Sequence, residues 1–381
     1  MNLAAYKAFK VTITTAVVLV CNILVPASTL AEDPRQVQAC ETLSEDLSTM
    51  HQAGKFNGLA VIAQKGKILC SVKRGYALAF ERVPFTEQTR FRIASITKQF
   101  TATTILRLAE DGRIDLDAPL KQYLAYFDGK PAAQIPIRHL MDHSSGIVPD
   151  INFPFLIDTR REGEKFAQAV VQEDLVFEPG SKFEYNNTAY KILGAIIEKV
   201  TGLDYGSAVE EIVLKPIGLE NTGTVAHGEP IDGLALGYMR SGDQPAKLHN
   251  PYEYGQPYSA GMMYSTANDL IAWNEALHQN KIFKESKTYE ELTNSRLFIE
   301  VNFGESLYSA YGLFNEIDIE KKIDSISHYG YFGGFTSSNR YFPKYHFTVI
   351  IFNNITVEGN DYLKLIDKKL LEFSKIFLNY R

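Results

Sequence analysis

The hydrophobic and polar positions of the first hundred or so residues change period more than once. Apolar side chains recur three and four positions apart from residue 35 to residue 52, which predicts an amphipathic helix. From Gly58 to Ala77 the pattern is that of two strands joined by a turn at Lys65-Gly66-Lys67. A second helix is predicted from near Ser95 to Gly112. Its core side includes Ile96, Phe100, Ile105 and Leu108.

The rest of the chain divides into a mostly helical middle and a strand-rich end. From about 115 to 300 helical pieces alternate with loops, and clear helices are predicted at Ala189 to Thr201 and Ala267 to His278. After residue 300 the strand pattern returns in "LYSAYGLFNEI", "ISHYGYFGGFTSSNRYFP" and "HFTVIIFNN". A final amphipathic helix is predicted from Tyr362 to Leu378.

Strands at both ends of the chain therefore flank a helical middle. The economical arrangement is an α+β fold in which both ends build one antiparallel sheet, as a sandwich lobe with the terminal helices on its face. We expect this sheet lobe to comprise about 35–90 and 300–381, and an all-helical lobe to comprise about 91–299. Since no linker interrupts the pattern, residues 32–381 are predicted to form one unit with a cleft between two lobes.

Residues 1–31 have the pattern of a secretory signal peptide. Lys7 and Lys10 precede an apolar run from Val11 to Val25, which is short for a spanning helix, and small residues follow. The alternative is an uncleaved membrane anchor. A lipid-attachment site at Cys21 is disfavoured because Val20 precedes it in place of a small residue. We therefore expect a secreted or periplasmic protein with no stable membrane insertion after cleavage.

Composition and charge narrow the classes of partner. The chain is 45% hydrophobic and 22% charged, as in a globular protein. Loss of residues 1–31 removes two lysines and no acidic residue, so the net charge goes from −6 to −8. We expect no nucleic-acid partner, because no basic patch remains. Export permits a disulfide between Cys40 and Cys70, but a buried thiol at Cys40 is an equal alternative.

The stretch "FRIASITKQF" contains the first pair of candidate catalytic residues. Ser95 and Lys98 are three positions apart, which places both side chains on one face of a helix. The N-terminus of a helix offers free N–H groups that stabilise a negative intermediate on the serine. A lysine in apolar surroundings has its charged form disfavoured and can accept the serine proton. The alternative is an ordinary lysine whose ammonium reaches the surface.

A second candidate group is Tyr185 with Asn187, in "FEYNNTAY". A tyrosine hydroxyl near an ammonium can act as a general base, and the amide of Asn187 can hold a substrate carbonyl. The alternative is a core tyrosine followed by a pair of helix-capping asparagines.

The third candidate group is His328 with Gly330, in "HYGYFGGF". These residues occupy alternate positions of a predicted strand, so they share a face. The glycine would allow a ligand to approach the strand, and the histidine could meet a substrate carboxylate. The alternative is an edge-strand histidine and a bulge glycine.

The order of these three motifs resembles that of the serine β-lactamase and penicillin-binding protein superfamily. The chain is most similar to the branch with tyrosine in the second motif, which holds class C β-lactamases, D-alanyl-D-alanine carboxypeptidases, D-aminopeptidases and related esterases. The similarity runs from about Gly58 to Asn354. Further segments that carry it are "TRFRIASITKQFTA", "LMDHSSGI", "FEPGSKFEYNNTAYKILGAIIEKVTG" and "SAGMMYSTANDLIAW".

The resemblance implies a β-lactamase/transpeptidase-like fold and a role for each motif. Ser95 would be the nucleophile that becomes acylated, and Lys98 and Tyr185 would share the acid and base steps. Asn187, His328 and Gly330 would line the substrate site. The backbone N–H groups of Ser95 and Tyr331 would form an oxyanion hole. No metal and no other cofactor is expected.

Two positions depart from the pattern of efficient β-lactamases. His328 stands where those enzymes usually have lysine, and a mostly neutral histidine attracts a carboxylate less strongly. Tyr331 is bulky where relatives often have a small residue, and we expect it to narrow the cleft. His143, in "LMDHSSGI", is predicted to be structural, and Trp273 is predicted to serve helix packing.

The sequence therefore predicts an exported serine hydrolase that works through an acyl-enzyme on a small amide or ester. D-amino-acid peptides and small esters are the leading substrate classes. The alternative activity is hydrolysis of β-lactams, and a non-catalytic penicillin-binding or sensor protein is the alternative from another class.

Overall fold

The computed structural model describes residues 33–149, 163–225, 231–241, 247–248, 257–294, 296–302, 305–318, 324–357 and 377. Its helices are α1 (Pro34–Gln52), α2 (Thr97–Glu110), α3 (Leu120–Tyr123), α4 (Ile137–Met141), α5 (Gly163–Ala169), α6 (Asn187–Thr201), α7 (Tyr205–Val209), α8 (Ala267–His278) and α9 (Ser286–Thr293). None of these helices is both long and apolar enough to cross a bilayer. The predicted signal segment lies outside the described residues, as does the predicted last helix apart from Phe377.

The strands fall into one large sheet and several small ones. The large sheet contains β1 (Gly58–Gln64), β2 (Lys67–Arg74), β10 (Phe298–Asn302), β11 (Glu305–Ser309), β12 (Phe314–Asp318), β13 (Asp324–Phe332), β14 (Phe335–Phe342) and β15 (Phe347–Asn353). The short strands are β3 (Tyr76–Leu78), β4 (Val83–Pro84), β5 (Phe91–Arg92), β6 (Gly223–Thr224), β7 (Tyr238–Arg240), β8 (Lys247–Leu248), β9 (Met263–Ser265) and β16 (Ile355–Val357).

Both ends of the chain build the large sheet, as the sequence predicts. Its order is β10-β11-β12-β13-β14-β15-β1-β2, and every neighbouring pair is antiparallel. β1 pairs directly with β15, which brings Gly58 opposite Asn353. The predicted α+β architecture with an antiparallel sheet is therefore confirmed.

The continuous apolar run of β1 follows from burial on both faces of this sheet. Leu59 and Val61 belong to the main core, shared with α2 and the other helices of the middle region. The alternate residues Ala60 and Ile62 belong to a second core, shared with α1. A strand covered on both faces has no solvent side, so the usual alternation of apolar and polar residues disappears.

A disulfide fastens α1 to the edge of the sheet. Cys40 of α1 is bonded to Cys70 of β2, with 5.8 Å between their Cα atoms. Of the two alternatives open from the sequence, the structure therefore contains the disulfide. The bond closes a long loop that contains most of the first hairpin.

α2 is the buried centre of the middle region. Eleven of its fourteen residues are buried, because the helix lies among the sheet and other helices. Phe100 stacks on Trp273 of α8 with ring centroids 4.0 Å apart, and the indole N–H donates to Gln99 Oε1 at 3.0 Å. Trp273 therefore serves helix packing, as predicted. The middle region is not all-helical as predicted, since it also contains the small sheet β5-β9-β6 beside the start of α2.

Removal of the disulfide is expected to destabilise the fold. The cross-link spans 30 residues, and a loop of this size corresponds to about 3.6 kcal/mol of unfolding free energy. The double variant Cys40→Ser, Cys70→Ser should lose that amount in guanidinium denaturation of the protein. Reductant should destabilise the wild type and leave the double variant unchanged. Equal midpoints for oxidised wild type and double variant would contradict this prediction.

Acidification is expected to weaken the fold through the half-buried His278. His278 stacks on Tyr341 with ring centroids 4.4 Å apart, and burial lowers its pKa to about 3. The unfolded chain takes up this proton near its usual pKa of about 6.5, whereas the folded chain does not. Stability is therefore constant above that pH and decreases as the pH falls from about 6.5 towards 3.

The expected loss at pH 5.5 is about 1 kcal/mol for His278 alone. Urea denaturation at pH 7.5 and 5.5 measures it, with His278→Phe as the comparison. The variant should lose less stability between the two pH values than the wild type does. The same loss in both proteins would show that His278 takes up its proton in the folded state.

Candidate active site

The turn that carries Ser95 is held at both ends by one residue of β9. Ser95 is half-buried in a single 3₁₀ turn that leads directly into α2. The N–H of Ile93, before the turn, donates to the carbonyl of Met263 at 3.0 Å. The N–H of Met263 donates to Thr97 Oγ1, after the turn, at 3.1 Å. The serine therefore sits at the N-terminus of a helix, as predicted, on a backbone fixed from both sides.

Gly330 of β13 allows the sheet to approach this turn closely. A Cβ atom at this position would lie 2.2 Å from the carbonyl oxygen of Ile93 and 3.1 Å from Cβ of Ala94. The sequence led us to expect that this glycine makes room for a ligand. The structure shows that it makes room for the backbone beside Ser95. Ala94 itself has a φ of +46°, a conformation that costs free energy for a residue with a side chain.

Lys98 is fully buried and bonded to three oxygen atoms. Its Nζ lies 3.1 Å from Ser95 Oγ, 2.7 Å from Asn187 Oδ1 and 2.7 Å from the carbonyl oxygen of Ala260. We expected apolar surroundings for this lysine. That expectation is wrong in detail, because polar groups form hydrogen bonds with its nitrogen. The spacing prediction is confirmed: serine and lysine are within hydrogen-bonding distance, so a proton can pass between them.

Aromatic rings surround the amine of Lys98. Nζ lies 4.8 Å from the ring centroid of Tyr185 and 5.5 Å from that of Tyr190, within the range of a cation–π interaction. Tyr185 is half-buried, and its ring centroid lies 4.5 Å from that of His143. The structure therefore brings the first two predicted motifs together, with Tyr185 in contact with Lys98.

The two adjacent asparagines of the second motif have different tasks. Asn186 is the N-cap of α6, and its Oδ1 accepts the N–H of Ala189 at 2.8 Å. Asn187, one residue later, turns its Oδ1 to Lys98. The capping alternative therefore holds for Asn186, while Asn187 belongs to the site.

His328 is buried and neutral. It exposes 2% of its surface, and its Nδ1–H donates to the carbonyl of Tyr329 at 2.7 Å. Burial, assisted by the charge of Lys98, lowers the pKa of His328 to about 3. Its ring centroid lies 6.3 Å from that of Tyr185. At neutral pH His328 therefore brings no positive charge to the site and offers a substrate carboxylate little exposed surface.

Tyr331 exposes its ring on the other face of β13. Side chains alternate along a strand, so Tyr331 points away from the face that His328 and Gly330 share. Its side chain is 63% exposed. The expectation that this ring narrows the cleft beside Ser95 is therefore not supported. β12 pairs with β13 only as far as Ser327, so the backbone of Tyr331 lies beyond the paired part of that edge.

Sequence reasoning missed three neighbours of Lys98 and Tyr185. Ala260 supplies a carbonyl, Tyr190 supplies a ring, and His143 packs on Tyr185. A carbonyl carries no side-chain signal, but Ala260 lies in the segment "SAGMMYSTANDLIAW", whose similarity to the superfamily was visible. Among the described residues, no cluster of three or more histidine, cysteine or acidic side chains is arranged to hold a metal ion.

Substitution of Gly330 by alanine tests how tightly β13 meets the Ser95 turn. The new methyl group would clash with the Ile93 carbonyl, so the turn must shift. We expect Gly330→Ala to slow covalent labelling of Ser95 by an active-site phosphonate about 100-fold, because small misplacements of reacting groups are costly. Gly112→Ala is the control, since its Cβ would meet nothing within 4 Å, although its φ of +70° is unfavourable for alanine. Equal labelling rates in both variants would contradict the prediction.

Comparisons with known proteins agree with this geometry. A family model described as Beta-lactamase matches residues 43–371. The chain is 33% identical over 213 residues to penicillin-binding protein 4* of Bacillus subtilis (strain 168), which covers 52% of this chain and 45% of that protein. It thus spans less than half the length of the curated relatives it matches.

Solved structures show the same fold. D-amino acid amidase from Ochrobactrum anthropi SV3, complexed with D-phenylalanine, has a TM-score of 0.75 and 26% identity, covering 91% of this chain and 99% of that one. The penicillin-binding protein from Bacillus halodurans has a TM-score of 0.72 and 26% identity, covering 85% of this chain and 99% of that one. The chain therefore belongs to the β-lactamase family, with a serine, a lysine and a tyrosine in contact at the site where its three motifs meet.

Proposed function

We propose that the protein is an exported serine hydrolase that forms an acyl-enzyme on Ser95 and cleaves small D-amino-acid amides or small esters. The observation that carries this proposal is the 3.1 Å contact between Ser95 Oγ and the buried Nζ of Lys98. The family match and the D-amino acid amidase fold neighbour support a hydrolase.

The three oxygen atoms around Lys98 suit a group that exchanges one proton. As an ammonium, the lysine can donate an N–H to each of Ser95, Asn187 and Ala260. As a neutral amine it can keep the bonds to Asn187 and Ala260, and its lone pair then faces the hydroxyl of Ser95. The proton can therefore move from serine to lysine without a movement of the lysine side chain.

Acylation begins when Ser95 Oγ attacks the substrate carbonyl carbon. A C–O bond forms, the hydroxyl proton passes to Lys98, and the intermediate oxygen becomes negative. The backbone N–H groups of Ser95 and Tyr331 are proposed to stabilise that oxygen, at a few kcal/mol each. The intermediate collapses when the leaving amine or alcohol departs with a proton from the Lys98–Tyr185 pair.

Deacylation repeats these steps with water as the nucleophile. Lys98 and Tyr185 take a proton from the water, which attacks the ester carbon of the acyl-enzyme. Ser95 then leaves and regains its proton. Asn187 is proposed to hold the substrate amide while its Oδ1 accepts from Lys98, and His328 is proposed to line the site in its neutral form.

The neutral state of His328 favours substrates that need no strong cation at this position. A β-lactam carries a carboxylate, and a buried neutral imidazole attracts it only weakly. D-amino acid amides and small esters can be bound without that charge. We therefore rank hydrolysis of β-lactams second, although the family model carries that name.

Export is proposed from the sequence of residues 1–31, which has a basic start and a short apolar run. A disulfide between Cys40 and Cys70 is in keeping with an oxidising compartment.

Covalent labelling tests the nucleophile. We expect a fluorophosphonate to label the wild type at one site and Ser95→Ala not to be labelled at all. Lys98→Met should reduce the labelling rate about 100-fold or more, because it removes the proton acceptor. Ser181→Ala and Lys182→Met change an exposed serine and an exposed lysine of one loop and should label as the wild type does. Label retained by Ser95→Ala would refute the proposed nucleophile.

A substrate panel tests the proposed class. Wild-type protein should hydrolyse D-phenylalanine amide and p-nitrophenyl acetate faster than nitrocefin, and should prefer D- over L-phenylalanine amide. Ser95→Ala should abolish each activity. Nitrocefin turnover that exceeds the turnover of amides and esters would make the protein a β-lactamase and contradict the role given to His328.

A further inference from the structure

His143 is a buried residue that the proposed mechanism does not use. It exposes 2% of its surface and follows α4, far along the chain from the second motif. Its φ is +63°, a left-handed conformation that is uncommon for residues other than glycine, although asparagine, aspartate and histidine adopt it more often than the rest. A strained and buried polar residue beside a reaction site requires an explanation.

The backbone and the ring of His143 hold the two residues on either side of Tyr185. The carbonyl oxygen of His143 accepts the N–H of Glu184 at 2.8 Å. Its ring Nδ1 accepts the N–H of Asn186 at 3.0 Å. The residues before and after Tyr185 thus both donate their backbone N–H groups to His143.

The ring also covers the side chain of Tyr185. The two ring centroids are 4.5 Å apart, and the ring of Tyr190 also lies against His143, at 5.0 Å. Tyr185 in turn lies against the amine of Lys98. A rotation of the Tyr185 backbone or ring would therefore disturb the contacts that this segment makes with His143.

We propose that His143 is a positioning residue for Tyr185, acting through the hydrogen bond from the Asn186 N–H to its ring and through contact of the two rings. This inference rests on the proposed function for its effect on catalysis, but its structural part does not. From its left-handed backbone, His143 presents both its carbonyl and its ring to the same segment.

The positioning bond requires a neutral ring. A protonated imidazole carries a hydrogen on both nitrogens and cannot accept the Asn186 N–H. Burial lowers the pKa of His143, and the nearby charge of Lys98 lowers it further. The neutral tautomer then has its hydrogen on Nε2, and this atom has no partner among the described residues.

Asparagine is the conservative replacement for His143 in this geometry. Its Oδ1 can occupy the place of Nδ1 and accept the Asn186 N–H, and asparagine tolerates the left-handed backbone. Alanine removes the acceptor and the ring. The pair His143→Asn and His143→Ala therefore separates the hydrogen bond from general loss of the side chain. His278→Asn is the matched control, since His278 is a half-buried histidine that packs on Tyr341, outside the site.

The first measurement is hydrolysis of p-nitrophenyl acetate. We expect His143→Ala to lower kcat about 10- to 100-fold with little change in KM, because Tyr185 is misplaced. His143→Asn should restore kcat to within about threefold of wild type, because the acceptor is present again. His278→Asn should lose stability while its kcat stays within about twofold of wild type.

The second measurement is hydrogen exchange of the backbone amides of Glu184 and Asn186, which does not depend on activity. Exchange at Asn186 should be at least about tenfold faster in His143→Ala than in wild type, and near wild type in His143→Asn. The inference is overturned if His143→Ala keeps wild-type kcat, or if its Asn186 amide exchanges no faster. If His143→Asn protects that amide but remains as slow as His143→Ala, the role given to the hydrogen bond is overturned and only the ring contact is left to position Tyr185.

The two proposals fail separately. If wild-type protein hydrolyses none of the substrates and takes no label at Ser95, the proposed function fails. The exchange experiment then still decides whether His143 fixes the segment around Tyr185.

Discussion

The buried amine of Lys98 is the constraint on which the site depends. A charged nitrogen inside a protein costs several kcal/mol unless hydrogen-bond acceptors surround it. Here the acceptors come from three separate parts of the chain: the Ser95 turn, the start of α6 at Asn187, and the turn that ends at Ala260. Because none of these can move away without leaving the nitrogen unsatisfied, the lysine holds the three parts in register.

Burial and the same charge together determine the protonation of two neighbouring histidines. Lys98 adds to the effect of burial in lowering the pKa of His143 and of His328. Both imidazoles therefore stay neutral. Nδ1 of His143 accepts a hydrogen bond from Asn186, and Nδ1–H of His328 donates one to the carbonyl of Tyr329. Two neutral rings beside Tyr185 give it a defined position without adding a second positive charge next to the lysine.

Close backbone contacts complete the arrangement. Three residues other than glycine have positive φ at this site: Ala94 beside the serine, His143 beside Tyr185, and Tyr258 in the turn that ends at Ala260. Gly330 lets β13 approach the first of these turns. Such conformations persist only where surrounding contacts outweigh their cost. The close approach of β13 supplies such contacts at Ala94, and the hydrogen bonds from Glu184 and Asn186 supply them at His143.

The sequence by itself determined the sheet, the principal helices and the candidate residues. Periodicity located α1, α2, α6 and α8, because burial of one side of an element leaves a regular mark on the sequence. Three short motifs, read in order, indicated Ser95, Lys98, Tyr185, Asn187, His328 and Gly330. The tertiary structure alone decided what surrounds each of them. It showed that Gly330 admits a backbone rather than a ligand, and that Asn186 caps a helix while Asn187 meets the lysine. It also brought a carbonyl at Ala260 and a ring at His143 to the site. A backbone carbonyl has no letter in the sequence, and a buried ring leaves no sign of which neighbour it touches. Such contacts arise only when distant segments pack.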